Sequence, residues 1–265
     1  MIEPLVRKLD HIFVPVPDPA PPFALFSERL GLPVAWPVTN KGPFTSAAVC
    51  AGNANIEFIT SNSPSSFSAF LEPTEPLTVR GLAFEPVDGA RMEEGLQERR
   101  LSNFGTQPFA RSDGELLWTN VFLDGMIADV AAVFLCAYHG AAAEDRAAVR
   151  RSFGASGGGV LGVRGVAEIT IGVRDLDTSK EKWRRFLAPA EPDSHGAFHV
   201  GDGPAIRLKE SPIEGVAGLW LEVESLAKAR DALRERDLLG PMRASGIGLN
   251  YARNGGLDVW LTESR

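Results

Sequence analysis

The residue types able to do chemistry concentrate in a phrase that occurs twice. The first copy reads His11-Ile-Phe-Val-Pro-Val-Pro-Asp18 and the second Glu168-Ile-Thr-Ile-Gly-Val-Arg-Asp175. Each opens on a side chain able to ligate a metal, passes through alternating apolar residues, and reaches an Asp. A further carboxylate, Glu57, sits between Ile56 and Phe58 in an otherwise apolar run. An unpaired carboxylate inside a sheet is costly, so Glu57 needs a partner. A metal and an Arg or hydrogen-bond network both satisfy that need. His139 follows the apolar run Val130 to Tyr138 and precedes Gly140. His195 and His199 stand four apart, but Gly196 between them and their strand-like setting spoil a helical ligand pair. No Ser-His-Asp or Cys-His arrangement occurs at a recognisable spacing. Cys50 and Cys136 lack a local activating cation. The glycines at 157–159 lack the Gly-Lys-Ser/Thr ending of a phosphate loop.

The elements that would position these groups recur. Leu9 to Val16 alternates and is rich in β-branched residues, which reads as a strand. Phe23 to Leu30 has helical apolar spacing, and Gly31 suits its stop. Strands follow at Pro33 to Val38, Phe44 to Cys50 and Asn55 to Thr60, with Gly52-Asn53 as a hairpin turn. After a Ser/Pro-rich connector at Ser61 to Pro64 the order repeats. Gly81 to Val87 is a strand and Arg91 to Leu101 a charged helix. Thr106 to Ala110, Leu117 to Leu123 and Val130 to Tyr138 are strands. Ala141 to Arg151 is a connecting helix, and Ser156 to Gly159 a flexible joint. A third unit starts at Val166, with a helix from Ser179 to Leu187 capped by Asp177 or Thr178, then strands near Ala197 to Val200 and Ala205 to Lys209. A fourth runs from Leu219 through the helix Leu226 to Leu238 to strands at Gly248 to Ala252 and Leu257 to Thr262. Such an internal repeat constrains the fold more than any single motif.

The chain has 265 residues, 44% hydrophobic and 23% charged, enough for two ordinary domains with ample core. No apolar run approaches the roughly 18 residues of a membrane helix, and the N-terminus has no apolar signal region. The two cysteines read as buried thiols of a reducing cytoplasm. A net charge of -7 argues against a nucleic-acid partner, whose backbone needs clustered Lys and Arg. Arg150, Arg151, Arg184 and Arg185 read as solvated faces.

Leu9-Asp10-His11-Ile12, the helix end Leu30-Gly31-Leu32-Pro33-Val34, and Gly52-Asn53-Ala54-Asn55-Ile56-Glu57-Phe58-Ile59 resemble the vicinal oxygen chelate superfamily. That group includes glyoxalase I, extradiol dioxygenases and the bleomycin resistance proteins. The resemblance implies βαβββ units paired so that curved sheets form a cup, with ligands from the first and fourth strands of each unit. A strand puts alternate side chains on one face, and a cupped sheet lets distant strands converge on one ion.

Carried over by residue, the pattern is uneven. His11 and Glu57 match ligands in the first unit. Gly81 and Ala137 fall on the positions of the second, Glu168 and Arg207 of the third, and Ala217 and Asp258 of the fourth. A two-residue shift along the strand would bring His139 to His11 and Glu57, giving the two-His, one-carboxylate set of non-haem iron enzymes. Glu85 is a weaker fourth candidate.

These readings imply an α+β protein of four βαβββ units in two cupped mixed-sheet domains, residues 1–150 and 160–265. The leading expectation is a lyase, isomerase or dioxygenase acting on a small oxygen-rich molecule through a divalent metal held by His11, Glu57 and His139, with Glu57 as an alternative proton shuttle. The competing expectation is a metal-free binder of the bleomycin-resistance type. In the C-terminal half, Arg207 would keep a metal out, with Glu168 and Asp258 pairing with it or with other donors, or facing solvent, leaving that half to cover the cup or make a homodimer contact. A small-molecule partner, no nucleic acid, no membrane and a cytoplasmic location complete the expectation.

Overall fold

Period-two apolar patterning builds the first unit. The computed structural model describes residues 3–63, 68–111, 113–128 and 130–263, so Pro64 of the connector lies outside it. The unit comprises β1 (Val6–Pro15), α1 (Ala20–Ala24), β2 (Val34–Asn40), β3 (Phe44–Cys50) and β4 (Asn55–Ser61). The second repeats the order as β5 (Gly81–Pro86), α2 (Met92–Glu98), β6 (Asn103–Ala110), β7 (Leu116–Ile127) and β8 (Ala131–Tyr138). A long helix, α3 (Gly140–Ser156), then leads to the third unit, β9 (Val163–Val173), α4 (Leu176–Leu187), β10 (Ala197–Phe198) and β11 (Ala205–Glu210). The fourth is β12 (Gly215–Val223), α5 (Leu226–Glu235), β13 (Leu239–Arg243), β14 (Gly246–Leu249) and β15 (Val259–Glu263).

Two curled mixed sheets result. The first runs β2-β3-β4-β1-β5-β8-β7-β6 and the second β10-β11-β9-β12-β15-β14-β13. In each, the first strands of two units pair antiparallel at the centre, β1 with β5 and β9 with β12. Each first strand also pairs in parallel with the last strand of its own unit. The third unit has two strands after its helix, which is why the second sheet is one strand narrower.

The Asp that closes each repeated phrase starts a helix. Asp18 Oδ1 accepts from Ala20 N at 2.9 Å and Asp175 Oδ1 from Thr178 N at 3.0 Å. The cap of α4 is therefore Asp175, not Asp177 or Thr178. Such a carboxylate satisfies an amide that has no partner inside the helix and faces the positive end of its dipole.

Alternation sorts the first sheet into two faces. Ile12, Val14, Ile56, Phe58, Leu82, Val133 and Leu135 join the core shared with the rest of the chain. Phe13, Ile59, Ala83, Phe122, Phe134 and Cys136 form a separate cluster on the opposite, concave face. The sheets are bound by apolar packing. Trp183 and Phe186 of α4 meet Phe84 of β5 with ring centroids 6.1 and 5.2 Å away, and each such fully buried ring contributes roughly 1.5–3 kcal/mol. The glycine joint is packed rather than open. A Cβ on Gly158 (φ +73°) would lie 1.8 Å from Val163 O, so only glycine fits. Among the described residues, no helix is long and apolar enough to cross a membrane.

Candidate functional site

The concave face of the first sheet encloses a cavity of about 340 Å³, closed on one side by α3. His11 and Phe13 of β1, Glu57 and Ile59 of β4, and Phe134, Cys136 and Tyr138 of β8 all point into it, each set two residues apart as a strand requires. Trp36, Lys41 and Phe44 close one wall and Phe109, Trp118 and Phe122 another. Phe109 and Trp118 stack with centroids 4.2 Å apart, and Phe122 lies 4.7 Å from Phe134. The cavity is thus an aromatic box with a polar end.

That polar end depends on a break in the alternation. Leu9 pairs with Phe84 and His11 with Ala83, so β1 carries one extra residue at Asp10. Such a bulge re-aims a side chain. Here it sets Asp10 Oδ2 2.8 Å from His11 Nδ1, although strand neighbours ordinarily face apart. Asp10 is 1% exposed and surrounded by donors. Arg146 of α3 reaches Asp10 Oδ2, Tyr138 Oη and, at 3.3 Å, His11 Nδ1, all through its Nη2. Arg150 spans Asp10 and Glu85, each at 3.2 Å. Burial alone would raise the Asp10 carboxyl, but Arg146, His11 and Arg150 together hold it well below the usual carboxylate range. Burial pushes the Tyr138 phenol well above its usual value, so it remains a neutral donor. Lys41 is lowered, first by burial and further by Arg146 and Arg111, with Glu57 opposing.

The structure brings His11 and Glu57 together, with Nε2 and Oε2 3.6 Å apart. It does not bring His139 to them. Its Nε2 hydrogen-bonds Thr119 Oγ1 at 2.9 Å. Phe134, Cys136 and Tyr138 line the cavity, so Ala137 and His139 belong to the other face of the strand. A position read an odd number of residues out reverses the face. Glu85 also stays outside the cavity, held by Arg150 and Arg7. Asp10, Tyr138, Arg146 and Asn120 were not legible as site residues. The one available signal was the acidic Asp10 inside an apolar strand. Arg150 is no solvated face either, since it joins this cluster.

The Glyoxalase-like domain model matches residues 9–187, well over half the chain. This chain belongs to the glyoxalase-like family. Its fold is that of the vicinal oxygen chelate superfamily. No curated protein matches it. A hypothetical protein from Staphylococcus aureus superposes with a TM-score of 0.64 at 9% identity, over 97% of this chain and 99% of that one. The 2,3-dioxygenase LapB from Pseudomonas sp. KL28 gives 0.62 at 13%, over 98% and 93%. A mutant homoprotocatechuate 2,3-dioxygenase from Brevibacterium fuscum gives 0.57 at 12%, over 97% and 72%. At these identities the likeness is one of fold.

The metal implied by that fold does not fit this glyoxalase-like cup. His11 and Glu57 are close enough to share an ion, but among the described residues nothing completes the set. With Gly81 as counterpart of His11, the parallel registers make Phe134, not Ala137, the counterpart of Glu57. A Cβ at Gly81 would fall 1.8 Å from the Phe13 ring, which fills the place of a ligand there. Among the described residues, no three His, Cys, Asp or Glu side chains group to hold a metal. The Arg146 guanidinium, a fixed cation, also stands against the His11 ring and disfavours a divalent ion nearby.

The corresponding place in the second sheet holds an ion pair. Arg207 Nε and Nη2 each lie 2.8 Å from Glu168 Oε2, and Thr170 donates to Glu168 Oε1 at 3.0 Å. Asp258 does not join them. It accepts from Trp260 Nε1 at 2.8 Å.

Proposed function

We propose that this protein binds a small planar organic molecule bearing oxygen in its first-sheet cup, without a metal. The observation that carries this reading is the replacement of the ligand set. Phe13 and Phe134 occupy the second unit's ligand places, and Arg146 supplies the positive charge beside His11. Ring stacking and apolar contact favour a planar ligand, and a volume near 340 Å³ suits one or two rings. The 2,3-dioxygenases and the catechol dioxygenase among the structural neighbours support the same ligand class. His11, with Nδ1 on Asp10 and Nε2 toward Glu57, is placed to accept or donate a hydrogen bond to such a molecule. The two unpaired, buried cysteines support a cytoplasmic location, and each curled sheet with its helices constitutes one domain in this reading.

Elemental analysis of protein purified without added metal tests the reading, together with titration of aromatic probes into chelator-treated protein. Substoichiometric metal and retained probe binding are expected. The second reading, a metal-dependent lyase, isomerase or dioxygenase, is favoured by the 3.6 Å approach of His11 to Glu57. One bound transition metal per chain, lost in His11→Ala, would establish it instead.

A further inference from the structure

Arg146 carries an unmet demand. Among the described residues its Nε and Nη1 are buried with no hydrogen-bond partner, while Nη2 alone serves Asp10 and Tyr138 and lies 3.3 Å from His11 Nδ1. A guanidinium cannot shed its proton to escape this, and buried donors are nearly always satisfied. The side chain is held in place, its Cζ 4.4 Å from the centroids of both Trp36 and Tyr138. It also lines the cavity. A second orphan belongs to another lining residue, since Asn120 Oδ1 is buried and accepts from no described group.

The buried charges around Arg146 are matched, and its unmet N–H groups are not. Arg7, Arg146 and Arg150 are ion-paired to only two carboxylates, Asp10 and Glu85. Arg7 is exposed and screened by solvent, so Arg146 and Arg150 stand against Asp10 and Glu85 in balance. Lys41, with its Nζ 4.9 Å above the Trp118 ring, balances Glu57 across the cavity. Asp145 also borders the cavity but is exposed at its rim, where solvent screens it. A buried, preorganised guanidinium with free N–H groups is the usual partner of a carboxylate.

Resting on the metal-free reading above, we propose that the cup takes an aryl carboxylate. Its carboxylate is bound by Arg146 Nη1, its ring lies between the aromatic walls, and a ring hydroxyl donates to Asn120 Oδ1. Arg146 then offers positive charge to a ligand oxygen from the Nδ1 side of His11.

Calorimetry on the chelator-treated full chain tests this with 4-hydroxybenzoate, benzoate, 4-hydroxybenzamide and phenol. The carboxylates should bind at least tenfold more tightly than the isosteric amide. Asn120→Leu should weaken 4-hydroxybenzoate and leave benzoate unchanged. Arg146→Lys, checked for an unchanged thermal transition, should erase most of the preference for carboxylate over amide. If Arg146→Lys unfolds, the Asn120→Leu comparison and the amide series in the unmodified protein still decide. Equal binding of acid and amide would overturn the carboxylate assignment while leaving the metal-free cup standing. Binding of none of the four probes would overturn both.

Discussion

Asp10 and Arg146, 136 positions apart, meet in a buried ion pair that fastens α3 across the mouth of the first sheet. The pair lies at the bulge in β1 and is shared with Tyr138 and Arg150. It therefore couples the shape of the cavity to the placement of a helix that contributes no fully buried residue of its own.

Removing one partner should show this. Asp10→Ala leaves a buried guanidinium uncompensated, which costs about 3–5 kcal/mol. Urea unfolding should record a loss of that order, with the cavity probes released as α3 loosens. A loss below about 1 kcal/mol would mean that solvent reaches Arg146 freely.

The same carboxylate sets a pH dependence. Asp10 is held below its ordinary value of 3.8, so between the two values the folded chain binds fewer protons than the unfolded one. Its stabilisation is complete above about pH 4 and drains away as pH falls toward the folded-state value. Denaturation midpoints measured from pH 7 down to 3 should decline more steeply for the natural chain than for Asp10→Asn.

Gly81 and Phe13 face one another across β1 and β5. Gly81→Ala drives a methyl into the Phe13 ring and should cost about 1–3 kcal/mol through overpacking. Coupling Phe13→Ala with Gly81→His opens the space and adds an imidazole beside His11 and Glu57. After dialysis against zinc, plasma mass spectrometry should find metal in the double variant and little in the natural chain.

Burial pushes the Cys136 thiol up to about 12 and also raises Cys50. Ellman's reagent at pH 8 should therefore find neither thiol in the folded protein and both in guanidinium. Fast native reaction at Cys136 would mean that the cavity opens more than its packing implies.

Asn53, at the tip of the β3–β4 hairpin, donates to Val166 O at 3.0 Å and accepts from Val166 N at 2.7 Å. It is one of several polar links between the two halves, with Lys8–Asp202 and Lys182 to Gly125 O among the others. Asn53→Ala should destabilise the chain by roughly 1–3 kcal/mol, because it leaves partly buried backbone groups unmatched. Chemical denaturation would register it as a lower midpoint.

Much of the architecture was legible because its causes are local. Alternating apolar residues mark strands and their faces, helical spacing and Gly31 mark the first helix, and the repeated phrase marks equivalent strands. The same parity places His11 and Glu57 in the cup. β13 escaped the reading, since Leu239-Gly-Pro-Met-Arg243 has too little alternation and too few β-branched residues to read as a strand. The face of His139 is not legible in the sequence, because it depends on the register of β8, which is set by pairing with β5 and β7 and not by its own residues.

The sequence by itself determined the strand-helix repeat and the apolar faces that curl two sheets around their cores, because burial of a periodic pattern leaves few other solutions. Only the tertiary structure decided the chemistry of the cup. A bulge turns Asp10 toward His11, the Phe13 ring fills the space over Gly81, and α3 carries Arg146 in from far along the chain. Those are contacts between distant residues, governed by charge and volume where the sheets and α3 meet, and no periodicity in the chain records them.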